Sequence, residues 1–258
     1  MGRLRGPARR GLLVACAVLG FALLGFARGA YAADVVVFAA ASLSDALGEL
    51  AGTWDAGRPD HLVLTFGASS DLARQIRAGA PAAVFFSADV RRVAELEHEG
   101  LVAAGSRHDV LSNQLAVIVP QGGTVAVATP DDLRACRHIA LADPEAVPAG
   151  VYARAWLTSI GLWEALRDRV VPTVDVRAAL AAVEAGHVDA GVVYQTDTRV
   201  TSRVRVAFTV PRTAGPSIVY SIAALAGRPE GAEVVRFLVS PEALAVYEKY
   251  GFVAIETQ

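Results

Sequence analysis

An α/β fold with mostly parallel sheets flanked by helices is predicted by three observations. Short apolar runs alternate with amphipathic ones along the chain, Ser-, Asp-, Gly- and Pro-bearing turns separate them, and no repeat or low-complexity segment breaks the alternation. With 258 residues, 53% of them hydrophobic, the chain can bury a substantial core and is not disordered. In open sheets of this class, ligands sit beyond the carboxyl ends of strands, where helix N-termini converge. The turns that follow strands are therefore where function is sought.

Residues 1–32 read as a secretory signal. Arg3, Arg5, Arg9 and Arg10 precede the uncharged apolar run Gly11 to Ala27, and Ala30-Tyr31-Ala32 follows as a small-x-small cleavage site, so the mature chain starts near Ala33. The flanks of Arg9-Arg10 match a twin-arginine signal poorly. A lipoprotein box ending at Cys16 would leave only Gly11 to Ala15 as its apolar segment. Five of the 24 basic residues and none of the 26 acidic ones lie before residue 34, which leaves 19 against 26, formally −7. Such a chain offers no basic field to nucleic acid or anionic lipid. Cys136 is the only cysteine beyond residue 33, so no intramolecular disulfide is expected, and it reads as a buried filler.

Val35 to Phe38 has the composition of a buried strand. Ser42 stands three residues before Asp45 at the head of the amphipathic run Leu43, Leu47, Leu50, where it is expected both to cap its helix and to face an oxyanion. His61 to Phe66 is a second strand, and Gly67-Ala68-Ser69-Ser70-Asp71 leads into a second helix, with Ser69 and Ser70 both plausible caps. Ala83 to Ser87 and Val90 to Glu99 give a third strand and helix. Gln114 to Val119 is a strand stopped by Pro120, Pro130 to Ala135 a short helix, and His138 to Ala142 a strand. In the loop before the next helix, Pro148 fixes the backbone while Ala149 and Gly150 carry no bulk, which opens the helix-start amides to a ligand. Asp175 is placed to cap a helix beginning at Val176. Ala190 to Tyr194 is a strand whose terminal tyrosine can donate into a cleft. The strands Val204 to Val210 and Ser217 to Leu225 precede two closing helices, Glu230 to Leu238 and Pro241 to Tyr250.

Phe38-Ala39-Ala40-Ala41-Ser42-Leu43, Ala73-Arg74-Gln75-Ile76, Phe86-Ser87-Ala88-Asp89, Asp143-Pro144-Glu145 with Val147-Pro148-Ala149-Gly150, Asp175-Val176-Arg177, Gly191-Val192-Val193-Tyr194 and Tyr250-Gly251-Phe252 together resemble the periplasmic molybdate-binding proteins of ABC transporters. The resemblance runs in order over essentially all of the chain beyond residue 33. It implies a two-lobed periplasmic-binding-protein fold of type II that closes over molybdate or tungstate in the periplasm. It further implies a monomer that delivers the anion to a permease and its ATPase, reaches the membrane only through them and needs no cofactor. Carried over by position, the ligand set is the hydroxyls and amides of Ser42 and Ser69, the amides of Ala149 and Val176 and the O–H of Tyr194, with no direct metal-cation ligand. Gly67 to Asp71 departs from the family's longer serine run, which leaves Ser69 against Ser70 open. Two lobes need two crossings, expected near Asn113 and near Ser221. Lobe one would then comprise 33–113 plus 222–258, and lobe two 114–221.

Two other readings compete. A hydrolase using Ser42 or Ser69 lacks a G-x-S-x-G elbow and a histidine in a base position. A receptor for sulfate, phosphate or a small organic anion would use the same donors.

Overall fold

The computed structural model describes residues 1–2 and 34–255. Apart from Met1 and Gly2, the secretory signal lies outside the described residues. The described residues 34–255 belong to one unit.

Alternation of apolar runs and amphipathic stretches produces strand, turn and helix three times at the start. β1 (Val35–Ala40) leads to α1 (Ser44–Asp55), β2 (Leu62–Gly67) to α2 (Ser69–Arg77), and β3 (Val84–Ser87) to α3 (Val90–His98). Leu43, Leu47, Leu50 and Trp54, spaced at three or four residues, are all buried and fix the face that α1 turns to the sheet. β2, β1 and β3 pair in parallel. β10 (Ile218–Ala224), β4 (His108–Asn113) and β11 (Val253–Ala254) extend the sheet in antiparallel fashion, giving the order β11-β4-β10-β3-β1-β2.

The second sheet repeats the plan. β6 (Ile139–Ala142) leads to α4 (Pro148–Ser159) and the short α5 (Trp163–Leu166), β7 (Val170–Thr173) to α6 (Val176–Glu184), and β8 (Ala190–Tyr194) to a 3-10 turn over Gln195–Arg199. With β5 (Leu115–Pro120) and β9 (Val204–Thr209), the order is β7-β6-β8-β5-β9. α7 (Gly231–Leu238) and α8 (Pro241–Lys249) close the chain.

The sheets are mixed, where mostly parallel ones were expected. β6 pairs in parallel with β7 and β8, whereas β5 pairs antiparallel with β8 and β9. Parallel neighbours need a crossover long enough for a helix, and the strands that carry the chain between sheets have none. Only Gln114 separates β4 in the first sheet from β5 in the second.

The return crossing differs from the expected Ser221. β10 belongs to the first sheet from its first residue, with Ile218 opposite Asn113 and Ser221 opposite Ser87 and Asp109. The chain therefore crosses back between Thr209 and Ile218. There Pro211 and Pro216 lack the N–H that a strand ladder needs, and the apolar run after them pairs as a unit.

Candidate functional site

The parallel strands of both sheets end at one cavity. Ala40, Ala41 and Ser42 come from the end of β1, Gly67 to Ser69 from β2 and Ala88 from β3. Val147 to Ala149 follow β6, Asp175 and Val176 follow β7, and Tyr194 ends β8. About 10 Å³ of the cavity is open to the centre of a water-sized sphere. The cavity is small, with room for a compact group between its walls.

All five residues singled out from the sequence, Ser42, Ser69, Ala149, Val176 and Tyr194, line this cavity, and each is buried. Ser69 lines it; Ser70 is not among the lining residues. The Ala88 N–H donates to Ser69 Oγ at 3.0 Å, so the hydroxyl proton of Ser69 must find an acceptor elsewhere. Tyr194 is 1% exposed, and its hydroxyl has no hydrogen-bond partner among the described residues. Burial, followed by the neighbouring Tyr220, pushes the Tyr194 hydroxyl well above its ordinary pKa, so it stays an O–H donor. An unpaired buried hydroxyl at a cavity wall is costly until a ligand accepts from it.

Ser42 differs from its expected capping role. A 3-10 turn over Ala41–Leu43 follows β1, α1 begins only at Ser44, and neither element has a side-chain cap. The Ser42 hydroxyl instead lies 2.9 Å from the Tyr220 hydroxyl. Because the helix starts one residue later than the Ser-x-x-Asp spacing suggested, with Leu43 in the cap position, the side chain is released from capping.

Backbone donors complete the wall. The first turns of α2, α4 and α6 face the cavity, their leading amides have no acceptor within the helix, and the three N-termini add positive potential. Gly150 permits this at α4. A Cβ there would lie 2.0 Å from the Ala142 carbonyl oxygen, so only glycine lets the helix start close on the end of β6. Asp175 caps α6 as expected, its Oδ1 accepting from Ala178 N–H at 2.9 Å. No lysine or arginine lines the cavity among the described residues.

One cation follows directly on the wall residue Val176 without lining the cavity. Arg177, in the first turn of α6, donates to Asp45 Oδ2 at 2.6 Å and to the Ser42 carbonyl at 3.3 Å, and its Nε lies 2.8 Å from Asp197 Oδ1. It thus ties the helix beginning at Val176 to the turn that carries Ser42. Asp197 is fully buried, accepts from Tyr194 N–H at 3.0 Å, and is raised to a pKa of about 6, burial outweighing Arg177 and that hydrogen bond. Arg92 of α3 makes a second tie, donating to the Ala146 carbonyl at 3.2 Å.

Sequence reasoning missed Arg177, Asp197, Asn113 and Tyr220. Arg177 carried one signal: a cation in a first helical turn opposes the helix dipole, and it persists where acids pair with it. Tyr220 sits mid-strand in an apolar run, and only its partners across the fold reveal a polar task.

The family model of bacterial extracellular solute-binding proteins matches residues 35–253. The chain is 36% identical to the molybdate-binding protein ModA of Escherichia coli over 249 residues, covering 93% of this chain and 96% of that one. It is 37% identical over 227 residues to YvgL of Bacillus subtilis, named as a candidate substrate-binding lipoprotein of an ABC transporter, with 85% and 86% covered. Among solved structures, the periplasmic molybdate-binding protein of Azotobacter vinelandii superposes with a TM-score of 0.77 at 24% identity, covering 86% of this chain and all of that one, and so shares its fold.

Proposed function

This chain belongs to the bacterial extracellular solute-binding proteins, with the molybdate-binding ModA proteins among its relatives, and on that premise we propose that it captures molybdate or tungstate and hands it to an ABC permease and its ATPase. The observation that carries the reading is the small cavity at six strand ends, walled by Ser42, Ser69 and Tyr194 hydroxyls and three helix N-termini, with no acidic or basic side chain among the described residues but that of the capping Asp175. A dianion held by neutral donors gains several charge-assisted hydrogen bonds, each contributing about 1.5–3 kcal/mol, without the desolvation cost of burying a basic side chain.

The chain binds and does not catalyse in this reading. Ser42 is held by a tyrosine and Ser69 by a backbone amide, so neither serine has a base to activate it. It works as a monomer without a cofactor, exported through the signal at 1–32 into the periplasm, and it meets the membrane only through the permease.

Isothermal titration of the protein lacking residues 1–32 with molybdate, tungstate and sulfate tests the reading. Tight binding of the first two, with sulfate weaker, is expected. Sulfate or phosphate binding without a molybdate response would replace it with another anion receptor.

A further inference from the structure

Tyr220 is fully buried on β10, outside the cavity wall, yet its hydroxyl reaches Ser42 Oγ at 2.9 Å. Gln114 N–H donates to Asn113 Oδ1 at 2.9 Å, which orients the Asn113 amide, so its Nδ2 donates to Thr196 Oγ1 at 2.9 Å and to the Tyr220 oxygen at 3.3 Å. Tyr220 oxygen thus accepts from Asn113, and among the described residues its own proton has one acceptor in reach, Ser42 Oγ. Ser42, having accepted, sends its proton to the cavity.

From this chain of bonds we propose that Tyr220, oriented by Asn113, is a positioning residue that holds Ser42 as a donor to the bound anion. The inference rests on the oxyanion reading above and deepens it. Beside Ser42 the ligand meets a donor, which favours a charged, deprotonated oxygen there, as the donation from Ala88 does beside Ser69. The two serines reach the same polarity by different routes. For Ser69 it is a backbone amide; for Ser42 it is a side-chain relay that begins at Gln114, the residue on which the chain passes between sheets.

Isothermal titration of wild type, Ser42→Ala, Tyr220→Phe and the double variant tests this, using whichever of molybdate, tungstate and sulfate the wild type binds. Tyr247→Phe serves as control: Tyr247 is equally buried, belongs to the same aromatic stack through Phe252, and does not line the cavity. Ligand-free melting is recorded for each. Ser42→Ala and Tyr220→Phe should each weaken binding about tenfold, the double variant should be no more than about twofold weaker than Ser42→Ala, and Tyr247→Phe should bind as wild type. Binding by Tyr220→Phe equal to wild type, or a loss that multiplies with that of Ser42→Ala, overturns the role of Tyr220, since a purely structural contribution multiplies. A wild type that binds sulfate alone overturns the molybdate assignment while leaving the cycle readable. One that binds none of the three overturns both.

Discussion

Tyr194 carries the most specific prediction at the scale of single residues. Its hydroxyl is buried and unpartnered, so Tyr194→Phe should leave ligand-free stability unchanged or higher while weakening anion binding by about 1–3 kcal/mol, read by titration. Ser69→Ala should cost binding a similar amount and also leave the Ala88 amide unpaired, so unlike Tyr194→Phe it should lower the melting temperature. Asp197 gives the pH prediction. Its folded pKa of about 6 lies above the ordinary value near 3.8, so the folded protein holds the proton more tightly than the unfolded chain. That contribution is fully present below about pH 4 and is lost as pH rises through 6. The melting temperature of wild type should accordingly fall relative to that of Asp197→Asn as pH rises from 4 to 7. A difference that does not change with pH would mean that Asp197 is ionised throughout.

Helix starts are the working elements. α2, α4 and α6 each begin where a parallel strand has ended, so strand direction and helix polarity together deliver amides to one point. Gly150 sets how closely α4 approaches β6, and Gly150→Ala should lower the melting temperature and weaken anion binding together, because the backbone contact at 2.0 Å cannot be relieved by a rotamer change. At α6, Arg177 acts as a clasp to Asp45, but Asp45 is 39% exposed, and pairs so solvated contribute at most about 1 kcal/mol. Asp45→Asn should therefore weaken binding only a few-fold, chiefly through faster dissociation seen in stopped-flow measurements, far less than loss of Tyr194 or Ser69. The sequence announced the starts of α4 and α6 through Pro148-Ala149-Gly150 and Asp175, because a cap and small residues are local signals, whereas neither Ser69 nor Ser70 caps α2 as expected: Ala68 precedes the helix without a side-chain cap, and the Ser69 hydroxyl is engaged by the Ala88 amide. Arg177 and Asp197 were not legible, since their partners lie on other elements.

Across the whole molecule, the cavity exists only because two sheets face each other with their strand ends. Ser42, Ser69 and Ala88 come from one sheet, Ala149, Val176 and Tyr194 from the other, and only the segments at Gln114 and 210–217 pass between β4 and β5 and between β9 and β10. A ligand held from both sides favours the closed arrangement by as much as its affinity differs between open and closed forms. Small-angle scattering should show the radius of gyration fall when molybdate is added to wild type, and a smaller change for Tyr194→Phe at the same concentration.

The sequence by itself determined the α/β class and the strand-turn-helix units, because periodicity and small-residue turns act within a few residues of chain, and the family resemblance carried onto it the five residues that line the cavity. It placed the return crossing at Ser221 and gave Ser42 a capping role, and both were decided otherwise by partners more than a hundred residues away. β10 pairs with β3 and β4 along its whole length, which moves the crossing upstream, and Tyr220 takes the Ser42 hydroxyl from its helix. Which way a buried hydroxyl donates depends on every group around it, and those groups are assembled only when both sheets have formed.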